Sequence, residues 1–208
     1  MSGGGPASIA AIVLAAGRSS RFGGENKLLA NVRGSPLIRR TLFEVASAPV
    51  EPIILVVAPD SADTVAAAAG EGRWHTIVNR DAGEGIAASL RAGLTALPQG
   101  AGAALVVLAD MPGLSRDLIR RVTAAYSADP AVKPIVYPVG SDGRQGHPVL
   151  WPADLFPELL MLRGDQGGKP LLTRHAARIV TVPSGGSDAT SDIDTPADLA
   201  AYLDRDEP

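Results

Sequence analysis

Short apolar runs alternate along this 208-residue chain with segments that have the 3.6-residue period of an amphipathic helix. The runs are IAAIVLA, PIILVVA, HTIVN and AALVVLAD, and the helical segments are PLIRRTLFEVA, SADTVAAAAG, GIAASLRAGLTAL and SRDLIRRVTAAY. Strands without an apolar–polar alternation are covered on both faces, so this order predicts a parallel sheet between two helical layers. The predicted fold class is α/β, with three α/β/α layers and a mainly parallel central sheet.

The regular alternation of strand and helix patterns ends after Tyr126. PIVYPV, GHPVLW and ARIVTV predict short strands, and LFPELLMLRG and KPLLTRHA predict helical fragments between them. We expect this part to cover the carboxyl edge of the sheet, where α/β proteins bind their ligands. The length fits one domain, predicted over residues 8–203, with a disordered leader at 1–7 and a solvated tail at 204–208.

Composition excludes several classes of function. The formal net charge is −3, which disfavours a nucleic-acid partner because phosphate neutralisation needs a broad basic face. The chain has no cysteine, which excludes disulfides, zinc–thiolate sites and thiol catalysis. The apolar run IAAIVLAAG is too short to span a bilayer and has no basic residues before it. We expect a cytoplasmic protein with no membrane partner.

The loop after the first strand, GRSSRFGGENK, combines glycines with three cations, Arg18, Arg21 and Lys27. Glycines allow backbone amides to approach an anion, and the cations supply positive charge, so the loop suits a triphosphate. A solvated surface loop is the alternative. The Walker A pattern is absent, because no Ser or Thr follows Lys27.

A second glycine segment, DAGEGIAASL, follows the third predicted strand. Gly83, Gly85 and Ala88 have the spacing of a dinucleotide-binding turn, but that turn belongs after the first strand of such folds. A dinucleotide-dependent oxidoreductase is therefore disfavoured. The segment is either a glycine turn before a helix or a contact for a nucleotide.

Asp110 ends the apolar run LVVLAD at the predicted carboxyl edge of the sheet. A carboxylate there either caps the next helix or binds a hard metal ion. Ser115 directly precedes RDLIRRV and is the better cap, which favours Mg²⁺ ligation by Asp110.

A second acidic segment lies near the end of the chain. Thr195 and Asp198 form the pattern of a capping box, whereas Asp192 and Asp194 flank Ile193 and face the same side of an extended segment. Mg²⁺ bound to a triphosphate takes one or two protein carboxylates, so this pair is the second candidate for the metal. A solvated acidic turn is the alternative.

Two polar segments remain. His147, in GRQGHPVLW, either contacts an acceptor substrate or shapes a tight turn. Arg163, Asp165 and Lys169, in LRGDQGGKPLL, form either a lid or an anion clamp.

Six segments, taken in order, resemble the MobA-like branch of the Rossmann-like nucleotidyltransferases. They are LAAGRSSRFGGENKLL, NRDAGEGIAASLRAGL, VVLADMP, GHPVLW, LRGDQGGKPLL and DIDTPADL. Within that branch the chain is most similar to the molybdenum cofactor cytidylyltransferases, over about residues 8–203. Members of the family transfer a nucleoside monophosphate from a nucleoside triphosphate to an acceptor.

The resemblance implies a role for each matching position. It implies nucleotide binding by Leu14, Ala15, Ala16, Gly17, Arg18, Ser19, Lys27, Gly85 and Ser89. It implies acceptor binding by Gly146, His147 and Pro148, and metal binding by Asp110 with Asp194 as second ligand and Asp192 as its neighbour. Arg18, Lys27 and Asp110 are the expected catalytic residues.

The function implied is Mg²⁺-dependent transfer of CMP from CTP to the phosphate of molybdopterin, with release of pyrophosphate. LAAG, rather than LAGG, favours CTP over GTP, but the same tetrapeptide occurs in relatives that act on sugar phosphates and isoprenoid precursors. Guanylyl transfer to molybdopterin and transfer to another phosphate monoester therefore stay open. A molybdoenzyme is a possible client, and a purely non-catalytic role is disfavoured by the retained Lys27 and Asp110.

Overall fold

The computed structural model describes residues 8–17, 19, 22–23, 25–70, 72–129, 131–185 and 192–205. Within these residues the strands are β1 (Ile9–Ala15), β2 (Asn31–Val32), β3 (Ser35–Pro36), β4 (Ile53–Val57), β5 (Trp74–Val78), β6 (Ala103–Leu108), β7 (Ile135–Val139), β8 (Val149–Pro152) and β9 (Ile179–Pro183). The α-helices are α1 (Leu37–Ala46), α2 (Ala62–Ala68), α3 (Ile86–Thr95), α4 (Arg116–Ser127), α5 (Phe156–Leu160), α6 (Lys169–Arg174) and α7 (Pro196–Asp204). The predicted leader at 1–7 lies outside the described residues.

Seven of these strands form one sheet in the order β5-β4-β1-β6-β8-β7-β9. β5, β4, β1 and β6 are parallel, β8 is antiparallel to both of its neighbours, and β9 is parallel to β7. β2 and β3 pair separately as a short antiparallel ribbon. The prediction of a mainly parallel central sheet is confirmed.

Helices cover both faces of the sheet, which explains why the central strands are apolar along their whole length. In β1, Val13 packs into the cluster that includes side chains of α1 and α4, whereas Ile12 and Leu14 pack into the cluster that includes those of α3, α5 and α6. Gly93 lets α3 pack directly on β1, because a Cβ there would lie 2.4 Å from Ile12 Cγ2. The three-layer arrangement is thus confirmed.

The helical periods are confirmed as well. The apolar stripes of α1 and α4 are buried at Leu37, Ile38, Leu42, Val45, Leu118, Ile119, Val122 and Tyr126. The Ser115 hydroxyl accepts a hydrogen bond from Leu118 N at 3.2 Å and caps α4, as predicted. Asp110 is therefore not needed as a cap.

Three details differ from the expectation. The C-terminal strands extend the sheet beyond β6, because β8 pairs with the exposed edge of β6, instead of covering the carboxyl edge. HTIVN lies at the other edge, where Val78 is 54% exposed, so this strand is not covered on both faces. The last helix includes Asp204, which was predicted to belong to the tail.

None of the described helices is both long and apolar enough to cross a membrane.

Candidate active site

Two neighbouring cavities lie at the carboxyl edge of the parallel strands, and the second also extends along β6 and β8. The first cavity, about 450 Å³, is lined by the loop after β1, the turn before α3 and the residues that follow β6. The second cavity, about 460 Å³, is lined by residues of β6 and β8 and by the loops before β8 and α6. Leu14, Ile86, Leu108 and Asp165 line both cavities. Each volume is in the range of small-molecule sites.

Lys27 points between two carboxylates of the first cavity. Its Nζ lies 2.5 Å from Asp110 Oδ2 and 2.8 Å from Asp194 Oδ1. The backbone of Lys27 is held by Ser19, whose Oγ accepts from Lys27 N at 3.2 Å, and Asn26 caps the short turn that begins at Lys27. The loop after β1 thus places Lys27 in contact with Asp110, from the middle of the chain, and Asp194, from near its end.

The two acidic segments are joined by a backbone hydrogen bond. Ile193 N donates to Asp110 O at 3.1 Å, and the Ile193 side chain is buried in a small apolar cluster with Tyr202 of α7. Tyr202 in turn donates its hydroxyl to Pro112 O at 3.0 Å. These contacts hold the segment before α7 against the end of β6.

The predicted capping box at the start of α7 is confirmed. The Thr195 hydroxyl accepts from Asp198 N at 3.1 Å, and Asp198 Oδ2 accepts from Thr195 N at 2.8 Å. The box accounts for Asp198, whereas Asp192 and Asp194 lie on the cavity side. Asp110, Asp192 and Asp194 each offer one carboxylate oxygen, and these oxygens lie within 4.8 Å of one another.

Burial and charge both act on this cluster. Burial raises the pKa of Asp110 and the nearby Asp192 adds to the rise, whereas the Lys27 ammonium opposes it. Burial alone would lower the pKa of Lys27, but the carboxylates of Asp110 and Asp194 outweigh it and raise the pKa. Three carboxylates whose oxygens lie within 4.8 Å of one another are a donor set of the kind that binds divalent cations.

The donor set fits a hard divalent ion. Asp110 Oδ1 is buried and accepts no hydrogen bond from the described residues, which leaves its lone pairs for another ligand. Carboxylate oxygens are the ligands that Mg²⁺ and Mn²⁺ prefer. Asp110, Asp192 and Asp194 are the residues that would hold such an ion.

Asn79, at the end of β5, was missed by the sequence analysis. It is 4% exposed; its Nδ2 donates to Ser89 Oγ at 3.1 Å, and its Oδ1 accepts from Asp81 N at 3.0 Å. The signal was a polar residue directly after an apolar run, the same signal that singled out Asp110. Asn79 thereby connects the turn after β5, through Asp81, to Ser89 in the lining of the first cavity.

Asp165 was predicted as part of a lid or an anion clamp, and the structure places it against the start of α3. Its Oδ1 accepts from Ile86 N at 3.3 Å, and Gly164 O accepts from Ala87 N at 3.1 Å. Gly85 has a φ of +97°, and a Cβ there would lie 2.6 Å from the backbone carbon of Gly164. The loop before α6 therefore packs on the glycine turn.

The second cavity contains Gly146 and His147, but Pro148 is not among the described residues that line it. Burial lowers the pKa of His147, whose Nδ1 lies 3.5 Å from Val106 O. Lys169 supplies a cation, and Trp151 is one of several apolar side chains in the lining. Asp192 also lines this cavity, which puts the acidic cluster at the boundary of the two cavities.

Most of the predicted nucleotide-binding positions share one cavity. The first cavity is lined by Leu14, Ala15, Ala16, Gly17, Ser19, Lys27, Gly85 and Ser89, together with Asp110 and Asp194. Arg18 and Arg21 lie outside the described residues. The roles given to these positions stay predictions.

A cavity beyond the carboxyl edge of a parallel α/β sheet, with glycine turns on one side and acids on the other, is typical of nucleotide-binding α/β proteins. The sequence makes the class more specific. The chain belongs to the family described as the MobA-like NTP transferase domain, whose model matches residues 11–179. It is a nucleotidyltransferase of the predicted MobA-like family.

Two relatives are similar over most of their length. The chain is 31% identical to 2-C-methyl-D-erythritol 4-phosphate cytidylyltransferase of Xanthomonas campestris pv. campestris (strain 8004), over 94% of this chain and 83% of that protein. It is 32% identical to the molybdenum cofactor guanylyltransferase of Cupriavidus metallidurans, over 90% of each chain.

One similar solved structure is that of Rv0371c from Mycobacterium tuberculosis H37Rv, with a TM-score of 0.81 and 30% identity, covering 96% of this chain and 100% of that one. The same protein in complex with manganese superposes with a TM-score of 0.74 and 26% identity, covering 96% and 100% of the two chains.

Proposed function

We propose that this protein transfers CMP from CTP to the phosphate of molybdopterin, releases pyrophosphate and uses Mg²⁺. The observation that carries the proposal is the acidic cluster of Asp110, Asp192 and Asp194 at the boundary between two cavities. A nucleotide in the first cavity and an acceptor in the second would meet at this cluster. Family membership supports the transfer, and a relative named a molybdenum cofactor guanylyltransferase supports the acceptor.

The proposed reaction is an in-line displacement at the α-phosphorus. An oxygen of the acceptor phosphate forms a bond to the α-phosphorus of CTP, and the bond from that phosphorus to the bridging oxygen of the β-phosphate breaks, so pyrophosphate leaves with that electron pair. The acceptor phosphate is already ionised at neutral pH, and no general base is needed. The work of the protein is positioning and charge stabilisation.

Each residue of the cluster has a proposed part. Asp110 and Asp194 would hold the metal ion, with Asp192 as their neighbour on the acceptor side; the manganese complex of Rv0371c supports a divalent ion at such a fold. A bound divalent ion neutralises charge on the phosphate oxygens. Lys27 leaves the carboxylates and pairs with the departing pyrophosphate, assisted by Arg18.

The acceptor cavity distinguishes two candidate substrates. Leu90, Val106, Trp151 and Leu172 give it an apolar wall, and Lys169 gives it one cation. This lining suits a fused heterocycle that carries a phosphate, as in molybdopterin. The second candidate is a small polyol phosphate, favoured by the relative named 2-C-methyl-D-erythritol 4-phosphate cytidylyltransferase.

The test is pyrophosphate release by the purified protein with CTP, GTP or UTP, Mg²⁺, and either molybdopterin or 2-C-methyl-D-erythritol 4-phosphate. We expect turnover with CTP and molybdopterin only. Turnover with GTP would change the nucleotide, turnover with the polyol phosphate would change the acceptor, and no turnover in any combination would refute the proposal.

Asp110→Asn is the variant that tests the metal assignment. We expect kcat/KM to fall at least about 100-fold, because a neutral amide holds a divalent ion poorly at the reacting phosphate. The matched control is Asp129→Asn, an exposed aspartate whose Oδ1 accepts from Ala131 N. Normal activity in Asp110→Asn would remove Asp110 from the metal site.

A further inference from the structure

Asn79 is a buried polar residue that the proposed mechanism does not use. It follows β5 at the carboxyl edge, and its backbone N donates to Val57 O at 2.8 Å. The side chain is 4% exposed and bonds to Ser89, which is 5% exposed and lines the first cavity. A buried amide that contacts a cavity residue determines how that residue presents its polar atoms.

The hydrogen bonds leave one orientation for the Asn79 amide. Asp81 N can only donate, so the Asn79 atom that faces it at 3.0 Å is the oxygen. The NH₂ group therefore faces Ser89 and donates to Oγ at 3.1 Å. The reverse orientation would place two donors face to face at Asp81 and is excluded.

This orientation determines the polarity of Ser89. A hydroxyl has one proton, and because Oγ accepts from Asn79, that proton points away from Asn79. Among the described residues, no acceptor receives the Ser89 proton, although serine in a helix commonly donates to the carbonyl four residues earlier. Because Ser89 lines the first cavity, its hydroxyl proton is available to an acceptor there.

We propose that Asn79 is a positioning residue that fixes the Ser89 hydroxyl as a hydrogen-bond donor to an acceptor atom of the nucleobase. This inference rests on the proposed function, since it needs a nucleotide in the first cavity. Carbonyl oxygens and unprotonated ring nitrogens of a base are the acceptors that such a donor recognises. A base edge that presents an N–H at this point cannot accept this hydrogen bond.

The place of Ser89 in the sheet favours the base over the phosphates. In the order β5-β4-β1-β6, the end of β5 lies three strand spacings from the end of β6. At about 4.8 Å for each spacing, Asn79 is about 14 Å from the end of β6, which Asp110 follows closely. Phosphates held by Lys27 and the acidic cluster leave the nucleoside on the side of Asn79 and Ser89.

Asn79→Asp tests the polarity. The new carboxylate still accepts from Asp81 N but cannot donate to Ser89, whose hydroxyl then donates to the carboxylate and turns its lone pairs toward the cavity. At pH 8.5, where the introduced carboxyl is ionised, the affinity for Mg–CTP and for Mg–tripolyphosphate is measured by calorimetry. Tripolyphosphate has no base, so it reports the effect of the added charge alone.

We expect Asn79→Asp to lower the ratio of CTP to tripolyphosphate affinity at least about tenfold, the value of one lost hydrogen bond. KM for CTP should rise by the same factor with kcat nearly unchanged, because the contact is equally strong in the ground state and the transition state. Ser89→Ala should lower the ratio similarly, and adding Asn79→Asp to it should lower the ratio no further.

The matched control is Asn31→Asp, an exposed asparagine whose Oδ1 accepts from Gly34 N and whose replacement adds the same charge. An unchanged ratio in Ser89→Ala overturns the inference even if Asn79→Asp does not fold. An equal loss from Asn79→Asp with and without Ser89 overturns it as well. Failure of the proposed function looks different: the unsubstituted protein then does not bind CTP, or binds it without releasing pyrophosphate in the presence of molybdopterin.

Discussion

Lys27 holds the place between the carboxylates of Asp110 and Asp194 that a metal ion would compete for. The ammonium lies within 2.8 Å of both carboxylates, and its side chain is only 11% exposed. A buried carboxylate is costly without a counter-ion, so this pairing stabilises the nucleotide-free protein. In the proposed reaction the same lysine must exchange these partners for phosphate oxygens when Mg–CTP arrives.

This exchange predicts that replacing Lys27 has opposite effects on metal affinity and on turnover. In Lys27→Met, which keeps the length of the side chain but not its charge, we expect Mn²⁺ to bind the nucleotide-free protein about tenfold more tightly, because the competing cation is gone. Turnover with Mg–CTP should fall about 100-fold, because charge on the departing pyrophosphate loses its partner. Electron paramagnetic resonance titration of free Mn²⁺ measures the first effect and pyrophosphate release the second.

A suitable control is Lys133→Met, a cationic position in the loop before β7, which should change neither quantity. Weaker Mn²⁺ binding in Lys27→Met would show that Lys27 helps to organise the carboxylates instead of competing with the ion.

Among the elements, the glycine turn before α3 depends on the loop before α6. Gly85 has a φ of +97°, and a Cβ there would overlap the Gly164 backbone and Asp165 Oδ1. Backbone cannot move aside as the end of a flexible side chain can. This contact therefore positions both the start of α3 and the part of the first cavity that Gly85 lines.

Gly85→Ala should accordingly cost more than backbone strain alone. We expect a loss of unfolding free energy of roughly 2–3 kcal/mol, combining a positive φ with overpacking, and a clear loss of CTP affinity. Urea denaturation and calorimetry measure these. Gly100→Ala is the matched control, because Gly100 has a φ of +93° but open space around it. Equal losses in the two variants would mean that the packing on Gly164 contributes nothing.

A second contact between elements gives a pH-dependent prediction. Arg178, in the turn before β9, donates to both oxygens of Asp154, in the turn after β8, at 2.8 and 3.1 Å. The hydrogen bonds from Arg178 lower the pKa of Asp154 below its ordinary value. The Asp154 side chain is 44% exposed, so we expect Asp154→Asn to cost at most about 1 kcal/mol at pH 7.

The sign of the pH dependence follows from the lowered pKa. The Asp154 carboxyl ionises more readily in the folded protein than in the unfolded chain. Its pairing with Arg178 therefore contributes fully to the free energy of unfolding above the unfolded pKa of about 3.9, and this contribution is lost as pH falls through the folded pKa. The stability difference between the unsubstituted protein and Asp154→Asn should therefore shrink below about pH 4. Urea denaturation at several pH values checks this, and a difference that grows on acidification would contradict it.

At the scale of the whole molecule, what could be predicted from sequence is what burial dictates. β1, β4 and β6 are covered on both faces, so their residues must all be apolar, and the pattern is unambiguous. HTIVN lies at an edge, and its polar residues, His75, Thr76 and Asn79, distinguish it from the central strands. The direction of β8 follows from its antiparallel pairing with β6, and a local sequence pattern does not predict this pairing.

The same distinction applies to the site. Asp110 could be predicted because a carboxylate after a buried strand is conspicuous, and the edge of a parallel sheet gathers such residues. The ion pair between Lys27 and Asp194 joins residues 167 positions apart and follows from no periodicity. Asn79 carried the same signal as Asp110, but its importance depends on the partner that α3 brings to it.

The site as a whole is assembled from the beginning, middle and end of the chain, since Lys27, Asp110 and Asp194 line one cavity. A ligand that bridges such distant segments binds the folded protein and not the unfolded chain, so it must stabilise the fold. At 100 times its dissociation constant the gain is about 2.7 kcal/mol. For a chain of this length, that raises Tm by roughly 5–10 °C.

Because the phosphates and the acidic cluster repel each other without a metal ion, we expect this rise only when Mg²⁺ and CTP are present together. Differential scanning calorimetry with Mg²⁺ alone, CTP with EDTA, and both ligands measures it at matched ionic strength. Asp194→Asn should lose most of the combined rise, whereas Asp129→Asn should keep it. If CTP with EDTA raised Tm as much as Mg–CTP does, the nucleotide would bind without the metal ion, and the acidic cluster would need another role.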